Sequence, residues 1–174
     1  MKILFSAKLY QLKDWIILRI PKDASDKLPS RGQIMAAGTI NGVQFRSPLE
    51  PDGQWGHWFA VEKALLDKAG AKVGDTVKVE LSAIKDWDEP EVPADLLKAL
   101  KANKKAKALW DNVTPLSHWE WIRQIRGTNS VQTRQRRIEV ACSKLAAGKR
   151  RPCCWNRNAC SQPSISKNGV LLGP

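Results

Sequence analysis

Residues 34–46 read I-M-A-A-G-T-I-N-G-V-Q-F-R, and their pattern decides the class of fold. Ile34, Ala36 and Ile40 fall on one face of an extended chain, and beyond Asn41-Gly42 the residues Val43 and Phe45 alternate with Gln44 and Arg46. Successive side chains of a strand point to opposite faces, so a period of two means one buried face and one wet one. Asn-Gly between two such runs is the strongest short hairpin signal, because a type I′ turn needs positive φ at both central positions.

Outward from this hairpin the same period recurs. Ile3, Phe5, Ala7 and Leu9 alternate with Lys2, Ser6 and Lys8; Ile16, Leu18 and Ile20 alternate with Trp15, Ile17 and Arg19; Val77, Val79 and Leu81 alternate with Thr76, Lys78, Glu80 and Ser82. Pro51-Asp52-Gly53 is a turn. Residues 62–69 read as a helix with Leu65 and Leu66 inward and Gly70 as a left-handed C-cap. Six short strands with one inserted helix close best as a small barrel over residues 1–84, since closure removes open sheet edges.

Residues 85–92, K-D-W-D-E-P-E-V, are acidic, interrupted by proline, and read as a linker. Beyond them the period changes. Pro93 opens a helix with Leu96, Leu97 and Leu100 on one face; Asn103 caps a second; Thr114-Pro115 is a cap and a first-turn proline for a third, which Gly127 ends. Ser130 caps a fourth, where Ile138, Ala141, Cys142 and Leu145 follow the i, i+3, i+4, i+7 spacing of a buried stripe. The fold class is therefore α+β in two parts: the small barrel, then a four-helix all-α module over residues 93–151. Residues 152–174, rich in Ser, Asn, Gly and Pro, read as an irregular tail.

Charge divides along the same line. Residues 1–93 carry as many basic as acidic side chains, so the whole net charge of +12 lies after them. Such asymmetry points to an anionic partner, nucleic acid among them, or to a solvated basic face. Arg134 and Arg137 on the fourth helix, with Lys149, Arg150 and Arg151 just past its end, are the candidate anion-binding residues. Guanidinium forks suit phosphate oxygens, and several together bind polyanions in a salt-dependent way. The competing reading has these arginines occupied within the chain, on helix ends or on its own carboxylates. Positive charge beyond a helix C-terminus is favourable in any case.

Two stretches carry a resemblance. I-N-G-V-Q-F, the G-H-W before the helix and V-G-D-T-V-K-V-E-L resemble a bacterial domain family of unknown function, which implies a double-split β-barrel of AbrB-like shape. V-P-A-D-L-L-K-A-L, W-I-R, T-R-Q-R-R-I and G-K-R-R-P-C-C-W resemble the YdeI/OmpD-associated helical family, also called bacteriocin-protection proteins. The two together cover about residues 1–155. They imply a bacterial cytoplasmic protein associated with envelope stress and resistance to bacteriocins or cationic peptides, and they bring no catalytic residues.

No run of apolar residues is long enough to span a membrane, and Met1 to Tyr10 alternate as a strand does instead of forming the apolar block of a signal peptide. The four cysteines are spaced C-x10-C-C-x5-C, unlike the C-x2-C pairs of zinc sites, so no metal and no cofactor are expected. Cys142 reads as buried, and Cys153-Cys154 as a partly exposed thiol pair beside Lys149, Arg150 and Arg151. Trp110, Trp119 and Trp155 read as core. Trp121 stands between core and a stacking surface with Arg123 and Arg126. His57 and Trp58 mark a candidate pocket, with His57 the one reasonable acid or base, but no nucleophile–base constellation accompanies them. Three readings are open: a non-enzymatic stress-resistance accessory protein whose basic helices bind an anionic partner, a protein–protein interaction module whose charge serves solubility, or an enzyme with a pocket between barrel and helices.

Overall fold

The computed structural model describes residues 1–174. The chain forms two compact units, one made of residues 1–86, 157–160 and 165–174, the other of residues 87–156 and 161–164.

The first unit is a closed six-stranded barrel. Its strands are β1 (Ile3–Leu12), β2 (Trp15–Arg19), β3 (Ile34–Ile40), β4 (Val43–Pro51), β5 (His57–Ala60) and β6 (Thr76–Ala83), ordered β1-β2-β5-β4-β3-β6 with β6 closing onto β1. All neighbours are antiparallel. The alternation read from the sequence places Ile3, Ala7, Leu9, Leu18, Ile34, Ala36, Ile40, Val77, Val79 and Leu81 in one core, with Phe59 and Leu49 filling its centre. The β3–β4 hairpin turns at Asn41 (φ 47°) and Gly42 (φ 84°), both left-handed, and Asn41 Oδ1 accepts a hydrogen bond from the Lys78 amide at 2.9 Å. Mid-strand, Gly38 lets β6 approach so closely that a Cβ there would lie 1.8 Å from the Glu80 carbonyl oxygen. Helix α1 (Lys22–Ser25) is a short element beyond the one inserted helix expected; α2 (Lys63–Ala69) ends on Gly70 at φ 64° as read.

The tail departs from the sequence reading. Residues 163–165 form a 3₁₀ turn, and β7 (Ser166–Lys167) pairs with β8 (Val170–Leu171). Cys160, Ile165 and Leu171 are buried in a second cluster with Ile17 and Trp58 on the outer side of β2 and β5, and Leu171 donates its amide to the Asp52 carbonyl at 2.9 Å. Residues 165–171 are thus an ordered cover of the barrel wall and not an irregular appendage. The physical reason is that β2 is apolar on both faces, Trp15 and Ile17 as well as Ile16 and Leu18, and a strand apolar on both faces needs covering on both.

The second unit holds α3 (Ala94–Ala102), α4 (Lys104–Trp110), α5 (Pro115–Arg126) and α6 (Val131–Ala146). The caps are those the sequence names: Asn103, Thr114 and Ser130 side chains accept from the amides of Ala106, Ser117 and Thr133. Pro93 stands one position earlier than read, at the N-cap of α3. The α6 stripe Ile138, Ala141, Cys142 and Leu145 packs with Leu96, Leu100, Trp110, Trp121, Ile122 and Ile125. Residues 87–92 are not a free linker. Trp119 Nε1 donates to the Asp88 carbonyl at 2.8 Å, and His118 Nδ1 lies 2.8 Å from Glu89 Oε2, so this segment is bound to α5.

At the hairpin, Gly42→Val meets no neighbouring atom and suffers only backbone strain, so it should destabilise by about 1–2 kcal/mol. Gly38→Ala must push β3 and β6 apart and should cost more, about 3 kcal/mol. Urea unfolding of the two variants checks both the order and the sizes.

Candidate functional site

The basic residues singled out by the sequence lie on α6 and on the turn after it. Arg134, in the first turn of α6, closes a fork on Asp95, with Nε 2.7 Å from Oδ2 and Nη2 3.0 Å from Oδ1. That bond holds the Asp95 carboxyl below its usual range. Arg137 Nη1 donates to the Gln124 carbonyl at 2.9 Å, satisfying an acceptor in the last turn of α5. Arg150 Nη2 donates to the Asn112 carbonyl at 2.8 Å. Arg151 forks on Glu120, with Nε 2.7 Å from Oε2 and Nη2 2.5 Å from Oε1. Of the five, the Lys149 side chain alone makes no hydrogen bond or ion pair and projects exposed.

The five side chains therefore do not make one open anion-binding surface. The fold after residue 93 contains four carboxylates, Asp95, Asp111, Glu120 and Glu139, and three of them are taken by Arg134, Lys107 and Arg151. Glu139 is the one left over, and Arg137 and Arg150 turn instead to carbonyl oxygens. On α6 itself Arg136 is exposed without a side-chain partner, and further unengaged cations lie on α3 and α4. Lys98 and Lys101 on α3 and Lys104 and Lys105 on α4 are exposed, and none has a side-chain hydrogen-bond or ion-pair partner. Sequence reasoning passed over these four because it weighed arginine motifs; four lysines in eight residues with no acid among them was the available signal.

His57 and Trp58 are wholly buried in the barrel wall, so they form no pocket open to a substrate. His57 Nε2 donates to the Gly32 carbonyl at 2.9 Å, and Nδ1 lies 2.8 Å from Ser25 Oγ, which in the neutral ring donates to it. Burial pushes its pKa below the usual 6.5. Trp58 meets Trp15 edge to face at 6.1 Å and donates to the Pro51 carbonyl at 3.2 Å. A cleft of about 300 Å³ opens where Phe45, Phe59 and Leu65 meet, with Glu62 and Lys68 at its edge; no nucleophile–base pair lies in it.

The tryptophans are sorted differently from the sequence reading. Trp110 and Trp121 are core, whereas Trp119 is half-buried at the surface of α5 and Trp155 is half-buried under the Arg123 guanidinium, 5.0 Å from its ring. Among the cysteines, Cys142 and Cys160 are buried and Cys153 and Cys154 are exposed, all as free thiols. No three or more His, Cys, Asp or Glu side chains are grouped so as to hold a metal ion. No helix is long and apolar enough to cross a membrane.

Residues 5–81 match a domain of unknown function (DUF1905). Residues 89–148 match the family described as bacteriocin-protection, YdeI or OmpD-associated. The first match falls on the barrel strands and the second on the helical segment. No curated protein matches it significantly.

Two outcomes test the internal pairing. Arg151→Ala leaves the Glu120 carboxylate buried without its fork and should destabilise by about 2 kcal/mol, and Glu120→Gln combined with Arg151→Met should recover most of that in a double-mutant cycle. For His57, the depressed folded pKa means the unfolded chain binds a proton that the buried ring does not. Stability is then complete above pH 6.5 and declines as pH falls below it, and a His57→Gln variant should lose that part of the decline in melting curves.

Proposed function

We propose that the protein is a non-enzymatic bacterial accessory protein that acts in the cytoplasm by binding an acidic protein partner through the lysine face of α3 and α4, and that this contact underlies a bacteriocin-protection role. In this reading the barrel, taken as double-split in the AbrB manner, is a scaffold, and the four helices of the second segment present the contact. The observation that carries it is the division of the positive charge. Arg134, Arg150 and Arg151 are held by groups of the chain itself and Arg137 by a helix carbonyl, while Lys98, Lys101, Lys104 and Lys105 face solvent without partners.

Phosphate recognition draws on clusters of arginine forks, and those of Arg134, Arg137, Arg150 and Arg151 are engaged within the chain, which leaves Arg136 as the one open fork on α6. Lysines on flexible stems act as point charges that steer an oppositely charged surface and set association rate more than specificity. The protection role rests on the family description of residues 89–148.

Replacing Lys98, Lys101, Lys104 and Lys105 together by glutamine should leave the melting midpoint nearly unchanged, because exposed positions away from structural contacts change stability by about 0.5 kcal/mol or less each. The same variant should lose the protection that expression of the unmodified chain gives cells challenged with a bacteriocin or cationic peptide. Retained protection would reject the lysine face. Mixed-sequence duplex DNA titrated by fluorescence anisotropy should show no measurable affinity at physiological salt. Tight binding with a log–log salt slope of about −3.6, the mark of about four phosphate contacts, would return the phosphate-binding reading.

A further inference from the structure

The turn between α6 and the returning tail, residues 152–155, is fastened on both sides. The Arg150 carbonyl accepts from Ser117 Oγ and from Trp121 Nε1, Arg151 is forked on Glu120, Pro152 is buried, and Trp155 lies under Arg123. Between these anchors Cys153 and Cys154 are exposed, and the chain passes through a left-handed conformation at Cys154, φ 62°. The flanking residues are anchored and the two thiols between them face solvent.

The charged groups that act on Cys153 Sγ are positive. Cys154 adjoins Cys153 in the chain, the Lys144 ammonium lies 3.9 Å from Cys153 Sγ, and Lys149 adds its charge. No carboxylate acts on it. These groups, Cys154 first and Lys144 next, lower the Cys153 pKa, whereas burial raises that of Cys142. A thiolate stabilised by nearby cations and open to solvent is the reactive form of cysteine.

We propose that Cys153 and Cys154 form a thiol–disulfide exchange site, with Cys153 as the attacking thiolate, Cys154 as the resolving thiol and a small-molecule disulfide as the oxidant. The Cys153 thiolate attacks one sulfur of the disulfide. A bond forms between Cys153 Sγ and that sulfur, the disulfide's own S–S bond breaks, and the departing thiolate takes a proton from water. Cys154 then loses its proton to water and attacks Cys153 Sγ, expelling the second thiolate and closing a disulfide across a single peptide bond. Two protein thiols lose two electrons in all, and one disulfide is reduced to two thiols. Lys144 is a positioning residue that holds negative charge on Cys153 before attack.

The test uses the full folded chain and 5,5′-dithiobis(2-nitrobenzoic acid) as the small disulfide, reading released thionitrobenzoate by absorbance and retained adduct by mass. The unmodified chain should release two equivalents rapidly and retain none. Cys154→Ser should release one and keep the mixed disulfide on Cys153, and Cys153→Ser should react about ten-fold more slowly. Lys144→Gln should slow the first phase about three-fold, and Lys144→Arg should restore it. Buried Cys142 and Cys160 should stay silent until the chain is denatured. Equal rates for the two serine variants, or a Lys144→Gln rate equal to that of the unmodified chain, would overturn Cys153 as the activated nucleophile. Stable adducts on both cysteines of the unmodified chain would overturn the resolving role of Cys154.

Discussion

A buried carboxylate in a small helical fold must be answered by a cation, and the position of Glu120 on α5 organises the path of the chain far beyond its own helix. Its oxygens are closed by the Arg151 fork. To reach them, the segment after α6 has to fold back along α5, which brings the Arg150 carbonyl onto Ser117 and Trp121. The course of residues 149–155 is then determined: Pro152 goes in, the two cysteines go out, and Cys153 comes beside Lys144 on the previous helix. One desolvated charge on a helix thus sets the geometry of a turn 31 residues later. The cost of losing that fork, about 2 kcal/mol, is large beside the few tenths that decide an exposed ion pair.

The same arithmetic of charges explains why a strongly basic segment need not be a polyanion-binding one. Arginine is the cation best suited to buried and bidentate pairing, so with few carboxylates Arg134 and Arg151 take Asp95 and Glu120 while Lys98, Lys101, Lys104 and Lys105 are left to solvent. The sequence reading named both fates for Arg134 and Arg137 and could not choose between them. The choice depends on Asp95 and the Gln124 carbonyl, partners 39 and 13 residues away in the chain.

Other features were legible where the cause is local. The Asn41-Gly42 turn, the Gly70 C-cap and the caps at Asn103, Thr114 and Ser130 all depend on residues within a few positions, and each stands where the sequence puts it. Phase on α5 was not legible. Ser117, His118, Glu120, Trp121, Ile122, Arg123 and Ile125 are all buried, so the helix is surrounded on most sides and polar residues stand among apolar ones in its inner face. Trp119 was accordingly read as core, while the run His118, Trp121, Ile122, Ile125 carries the i, i+3, i+4, i+7 stripe. His57 was misplaced for a related reason: a lone histidine looks like chemistry until its two hydrogen-bond partners, Ser25 and Gly32, are brought to it by a loop.

The returning tail has a consequence for the order in which the molecule can be made. Ile17 and Trp58 are covered on the outside of the barrel by Cys160, Ile165 and Leu171, which a ribosome delivers only after the entire helical segment has emerged. Until then a nascent barrel with all six strands shows a wet indole and an isoleucine where the finished one has none. A chaperone that reads exposed aromatic surface has a defined interval in which to engage it, and that interval closes when β8 arrives.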